Sequence, residues 1–173
     1  MDPEHLAKGA QQAATQDPLS VFLVDDHALY RQCLKALLAA EPGLRVVGEA
    51  GDATGALVAA GRCAPAPLAD VVLLDVAMPG TSGVTLARRL CQLAPSSRLL
   101  ALSMHDDGSV VSAMLEAGAS GYVVKIDPLP EILLALRTVA SGRPYFSAAL
   151  DPGLRQRLLA REPARGGSPR SPV

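Results

Sequence analysis

"SVFLVDDHALYRQCLKALLAAEPGLRVVGEA", residues 20–50, contains a strand, a helix and a second strand in direct succession. Ser20 to Val24 form a short apolar run of the kind that a sheet buries. Leu29, Cys33, Leu34, Leu37 and Leu38 then recur at helical intervals and are expected to line one face, until "EPG" at 41–43 stops the helix. "LRVVGEA" at 44–50 returns to the strand pattern. The unexpected part is the junction, where the first strand runs into Asp25, Asp26 and His27 and so ends on two adjacent like charges.

The same alternation continues down the chain. Strands are predicted at 70–75, 98–103 and 121–125, and helices at 28–40, 53–61, 83–94, 108–117 and 128–141. Strand runs this uniformly apolar suit a sheet covered on both faces. Five strand–helix pairs with right-handed crossovers predict an α/β fold: a three-layer α/β/α sandwich around a doubly wound, five-stranded parallel sheet of order 2-1-3-4-5. Ligands of such sheets sit outside the carboxyl ends of the strands.

Composition narrows the rest. Of the 173 residues 49% are hydrophobic but only 3% aromatic, with no Trp, so the core must be aliphatic. A formal charge of −1 gives no global electrostatic case for gripping nucleic acid or an acidic membrane surface. Cys33, Cys63 and Cys91 are odd in number and lack a C-x-x-C pair, which points to buried free thiols rather than a disulfide framework or zinc site. No apolar run approaches membrane-spanning length, and the first residues lack a basic segment followed by an apolar one, so a cytoplasmic location is expected. Residues 1–18 are expected to be a disordered or frayed leader and 19–146 the domain. Residues 147–173 are expected to be a linker or tail, with one short helix near 155–161 before a Pro/Gly/Ser/Arg-rich end.

At the predicted carboxyl edge stand Asp25 and Asp26 after the first strand, Asp75 ending the third, Ser103 ending the fourth and Lys125 ending the fifth. Taken singly, paired aspartates before a helix read as caps, and a Ser or Lys at a strand end as a solvated loop residue. Taken together they describe a site. Three converging carboxylates repel, and a divalent cation with oxygen ligands holds them ionised; Mg2+ suits such a set because it leaves room for a phosphate oxygen. Ser103 offers a hydroxyl and Lys125 a compact positive charge to hold phosphoryl oxygens, and Asp75, on the central strand, is the candidate nucleophile toward phosphorus.

"VFLVDDH", "VVLLDVAMPGTSG", "ALS" and "GASGYVVK", in this order, resemble the receiver domain of bacterial two-component response regulators, over about residues 20–146. The opening "DDHALYRQCLKALLAAEPGLRVVGEAGDATGAL" and the ending "VASGRPYFS" are further similar to the LuxR/NarL-type transcriptional regulators. The resemblance implies a flavodoxin-like sheet and a role for each position: Asp75 as phosphoacceptor, Asp26 as direct metal ligand, Asp25 as its outer-shell partner and the Ala77 carbonyl completing the Mg2+ shell. It also implies Ser103 as the switch hydroxyl, Lys125 as the phosphate-contacting lysine and Tyr122 as the aromatic switch. A sensor histidine kinase would be the phosphodonor, and a homodimer on the fifth or first helix a further partner. Two departures stand out. Many receivers carry a proline directly after the lysine, whereas "KIDPLPE" delays it to Pro128; the LuxR/NarL-type regulators commonly lack that proline too. The family's helix-turn-helix is not expected after Pro144, so contact with DNA would run through a domain outside this chain.

Rival readings are weaker. A haloacid-dehalogenase-type phosphatase needs a second aspartate two residues after the nucleophile, and that position is Ala77. A receiver-shaped module that is never phosphorylated has no need of the full acidic set. Dinucleotide binding lacks G-x-G-x-x-G after the first strand. His27 reads as a helix-start residue and His105 as a loop residue, without metal-ligand spacing. Met78 and Pro79 shape the loop after Asp75, Gly80 or Gly83 is expected to supply positive φ, and Thr81 or Ser82 to cap the third helix. Of Ile132, Leu133, Leu136 and Val139 in the fifth helix, two suffice for a core and the others would mark a partner surface.

Overall fold

The computed structural model describes residues 17–160. The elements are β1 (Leu19–Val24), α1 (Ala28–Ala39), β2 (Leu44–Ala50), α2 (Ala53–Cys63), β3 (Val71–Asp75), α3 (Gly83–Leu93), β4 (Arg98–Ser103), α4 (Gly108–Glu116), β5 (Gly121–Val124), α5 (Leu129–Ala140), β6 (Tyr145–Phe146) and α6 (Pro152–Leu159). Strands and helices alternate as the hydrophobic pattern predicts.

The sheet is parallel throughout, in the order β2-β1-β3-β4-β5-β6. It therefore has six strands, not the expected five. The added strand, Tyr145–Phe146, pairs Tyr145 with Gly121 and Phe146 with Tyr122. Two residues after a proline are too few to carry an alternation signal, so the pairing is decided by tertiary contact. Gly121 permits it: a Cβ there would sit 2.6 Å from the Tyr145 carbonyl oxygen.

Successive strand residues point to opposite faces, and both faces are covered. Phe22, Val24, Val72, Leu74 and Ala101 pack with α2, α3, α4 and α6 through Ala56, Ala60, Leu86, Leu90, Val111, Met114 and Leu158. Val21, Leu23, Val71, Leu73 and Leu100 pack with α1 and α5 through Leu34, Leu38, Ile132, Leu136 and Val139. Three expectations need correction. On α1 only Leu34 and Leu38 are buried, while Leu29 is 80% exposed and Leu37 48%, because the sheet covers a narrower stripe than the apolar one. On α5 all four of Ile132, Leu133, Leu136 and Val139 are buried, and the exposed apolar residue is Leu134. Cys33 is exposed and Cys63 and Cys91 half-buried, so the thiols are free but not deeply enclosed.

The predicted leader falls almost entirely on residues 1–16, outside the described residues, as does the tail from 161 onward. The short helix near the end lies at Pro152–Leu159, a few residues earlier than its Arg/Leu pattern indicates, with Asp151 capping it through the Leu154 N–H at 2.7 Å. Leu150 and Leu158 carry this segment into the core.

Candidate functional site at the carboxyl edge of the sheet

The paired aspartates after β1 do not cap α1. Its N-cap position is His27, which makes no side-chain capping hydrogen bond. Asp25 instead turns into the protein at 4% exposure, beside Asp75 at 1% on the neighbouring strand. Two buried carboxylates side by side need a cation, and Lys125 supplies it. Its Nζ lies 2.7 Å from Asp25 Oδ2 and 2.7 Å from Asp75 Oδ2. The contact with Asp75 has full hydrogen-bond alignment, whereas Asp25 Oδ2 is approached off-axis and keeps no hydrogen bond of its own.

Backbone groups fix the other carboxylate oxygens. Asp75 Oδ1 accepts the Ala77 N–H at 3.0 Å, and Asp25 Oδ1 accepts the His27 N–H at 2.8 Å. The Arg31 guanidinium donates to the Asp25 carbonyl. Lys125 also stands over the ring of Tyr30, 4.7 Å from its centroid. Burial, then the negative charges of Asp25, Asp75 and Asp127, push the Tyr30 phenol up to about 12.

Ser103 ends β4 at 1% exposure, and its backbone carbonyl accepts the Lys125 N–H at 2.6 Å. Its Oγ accepts the His105 N–H at 3.1 Å. Tyr122 is fully buried, with its hydroxyl donating to the His105 carbonyl at 2.8 Å. Burial raises the Tyr122 phenol, opposed by the neighbouring Ser103 hydroxyl.

Asp25, Asp26 and Asp75 thus come together with Lys125, while Ser103 and Tyr122 form a linked pair on the adjoining strands. Ala77 is exposed, in the loop after β3. Gly80 has the expected positive φ, 83°; Gly83 does not, and neither Thr81 nor Ser82 caps α3 by a side-chain bond. Gly83 matters for space: a Cβ there would meet the Val76 carbonyl oxygen at 2.4 Å.

His27, Tyr30 and Arg31 are the residues that sequence reasoning missed. The His27 Nδ1 lies 3.3 Å from Asp25 Oδ1, 3.1 Å from Asp26 Oδ1 and 3.6 Å from Asp75 Oδ2. The signal was present, since 27, 30 and 31 share a helix face in the turn that follows the aspartates. The donor set fits a hard divalent cation. Asp25, Asp26, His27 and Asp75 each offer an atom within 4.8 Å of the others, and Asp26 Oδ1 is buried without a hydrogen-bond partner.

A family profile described as the response regulator receiver domain matches residues 21–137. This chain belongs to that family. Among the relatives of the receiver is the nitrate/nitrite response regulator NarP of Escherichia coli, 40% identical over 82% of this chain and 64% of NarP. Another is the transcriptional activator DevR/DosR of Mycobacterium tuberculosis, 38% identical over 86% of this chain and 68% of the relative. DegU of Brevibacillus brevis is 36% identical, and the chain spans only 54% of its length. Among solved structures, a LuxR-family response regulator from Aurantimonas superposes with a TM-score of 0.69 at 32% identity, covering 80% of this chain and 94% of that one. The NarL receiver domain of Mycobacterium tuberculosis gives 0.67 at 34% identity, over 74% and 100%. The receiver is thus of the LuxR/NarL type, and its acidic cluster of buried Asp25 and Asp75 with half-buried Asp26 fits a phosphorylation site. No helix among the described residues is long and apolar enough to cross a membrane.

Proposed function

We propose that Asp75 accepts a phosphoryl group from the phosphohistidine of a sensor histidine kinase, and that the product biases a surface which controls transcription through an output domain elsewhere in the protein. A carboxylate oxygen of Asp75 attacks phosphorus, the P–N bond of the donor breaks, and the electron pair leaves on the imidazole, which takes up a proton. Mg2+, held by Asp26, Asp75 and the Ala77 carbonyl with Asp25 in the outer shell, would neutralise charge on the phosphoryl oxygens. The chain's own residues do the rest. Lys125 pairs with Asp75 and then turns to the phosphoryl oxygens, and Ser103 donates its hydroxyl to another of them. Tyr122, already turned inward onto the His105 carbonyl, is locked there once Ser103 is drawn to the phosphoryl group.

The observation that carries this reading is the Lys125 ammonium bridging Asp25 and Asp75 at 2.7 Å each, beside an Asp26 oxygen that makes no hydrogen bond. As an interaction module without phosphorylation, the chain would bury two carboxylates and a lysine to no purpose. The reading includes catalysis of its own phosphotransfer and dephosphorylation alone, a cytoplasmic location, a leader (1–18), a domain over 19–146 onto whose core the first part of the 147–173 segment packs through Leu150 and Leu158, and no direct nucleic-acid contact. Homodimerisation on α1 or α5 belongs to it as well, with Leu29 and Leu37 on α1 and Leu134 on α5 as the exposed apolar residues. The test is labelling by acetyl phosphate with Mg2+: Asp75→Asn should abolish it, and labelling that persists would reject Asp75 as the acceptor.

A further inference from the structure

Lys125 stands on the first residue after β5, and its long side chain reaches the carboxylates only if its backbone is held. On the N-terminal side the sheet holds it. On the C-terminal side comes Ile126, 72% exposed. The hold passes to Asp127. Its N–H donates to the Val124 carbonyl at 2.9 Å and its Oδ2 accepts the Val124 N–H at 3.0 Å, which closes the turn around Lys125 from both sides.

That carboxylate is itself held from the residue that follows β6. Asp127 Oδ1 accepts the Ser147 hydroxyl at 2.9 Å. Ser147 is fully buried; its N–H donates to the Tyr122 carbonyl at 2.9 Å, and its Oγ accepts the Ala149 N–H at 3.0 Å. A hydroxyl with one donor and two lone pairs is thereby aimed in a single direction, and its place follows from the β6 register. The short sixth strand brings Ser147 to the loop that carries Lys125.

We propose that Asp127 and Ser147 are positioning residues for Lys125, fixing its loop so that the ammonium meets the reacting carboxylate. The proposal rests on the reading of Lys125 as the group that contacts the phosphoryl oxygens. A rigid supporting shell matters because small displacements at a charged contact are costly.

The experiment uses the full chain and beryllofluoride with Mg2+ as the phosphoryl probe. Ser147→Ala should weaken beryllofluoride binding by about threefold to tenfold, the range of one lost hydrogen bond. Affinity for Mg2+ alone should not fall, because a looser Lys125 ammonium competes less with the cation for Asp25 and Asp75; general destabilisation would lower both. Ser147→Thr, which keeps the hydroxyl, should restore binding. In a Lys125→Ala background Ser147→Ala should add no further loss. If Ser147→Ala fails to fold, Asp127→Ala carries the same comparison at a half-buried position. Wild-type beryllofluoride affinity in Ser147→Ala, or an equal loss repeated in the Lys125→Ala background, would overturn the proposal.

A second arm stands apart from phosphoryl chemistry. The Lys125 ammonium protons, enclosed between two carboxylates, should exchange slowly by NMR and become fast in Ser147→Ala; unchanged exchange would count against the proposal. Should beryllofluoride bind Asp75→Asn as it binds the wild type, the phosphoacceptor reading falls, and the ammonium exchange alone decides the positioning role.

Discussion

Lys125 and Asp75 are 50 residues apart in the chain, yet nitrogen and oxygen meet at 2.7 Å with the side chains 4% and 1% exposed. A buried ion pair is weak evidence of net stability, but removing one partner strands a charge in a poor solvent. Lys125→Met should therefore cost about 3 kcal/mol of unfolding free energy in cation-free buffer, with part of the loss returned by added Mg2+. Urea denaturation with and without Mg2+ measures both, and a wild-type midpoint would contradict the assigned geometry.

Asp26 should behave in the opposite way. Its Oδ1 has no hydrogen-bond partner and faces the Asp25 and Asp75 charges. Asp26→Asn removes repulsion, so the cation-free protein should gain a little stability, less than about 1 kcal/mol given partial solvent exposure. The rise in melting temperature on adding Mg2+ should disappear with it. A variant that still melts higher in Mg2+ would place the cation elsewhere.

Gly83 lies at the start of α3, where a Cβ would meet the Val76 carbonyl oxygen at 2.4 Å. Because backbone would have to move, Gly83→Ala should destabilise by about 2 kcal/mol and displace the loop that carries Ala77. Denaturant midpoints, alongside Mg2+ affinity, would register both effects; a neutral substitution would show that this close approach is relieved in solution.

The three tyrosines of a chain without tryptophan offer a clean titration. Burial raises the phenols of Tyr30, to about 12, and of Tyr122 and Tyr145, the last also through its bond to Glu131. A phenol whose folded value lies above its unfolded value contributes stability in full below about 10. That contribution is lost as pH rises from about 10 toward about 12. Phenolate absorbance at pH 10 should therefore be smaller in the native protein than in the unfolded protein at the same pH. Half-maximal absorbance from the native protein there would sink the prediction.

Much of this was legible beforehand because it is local. The apolar runs at 20–24 and 98–103, the helical repeats between them and the polar residues at strand ends are properties of short segments, and a parallel sheet brings the strand ends to one edge whatever the details of packing. For the same reason the meeting of Asp25, Asp26, Asp75 and Lys125 could be anticipated without a single distance. The α1 stripe was misread because periodicity reports which side chains are apolar, not how wide a strip the sheet covers; Leu34 and Leu38 are inside and Leu29 is not.

The amino-acid order alone determined the fold class, the strand order as far as the fifth strand and the charges at its edge, since each follows from pattern and chain connectivity. Only the tertiary structure decided that Tyr145–Phe146 would add a sixth strand, that His27 would stand among the carboxylates, and that Ser147 would reach Asp127. These depend on segments distant in sequence arriving at one place with a given register, and no short window of residues encodes that.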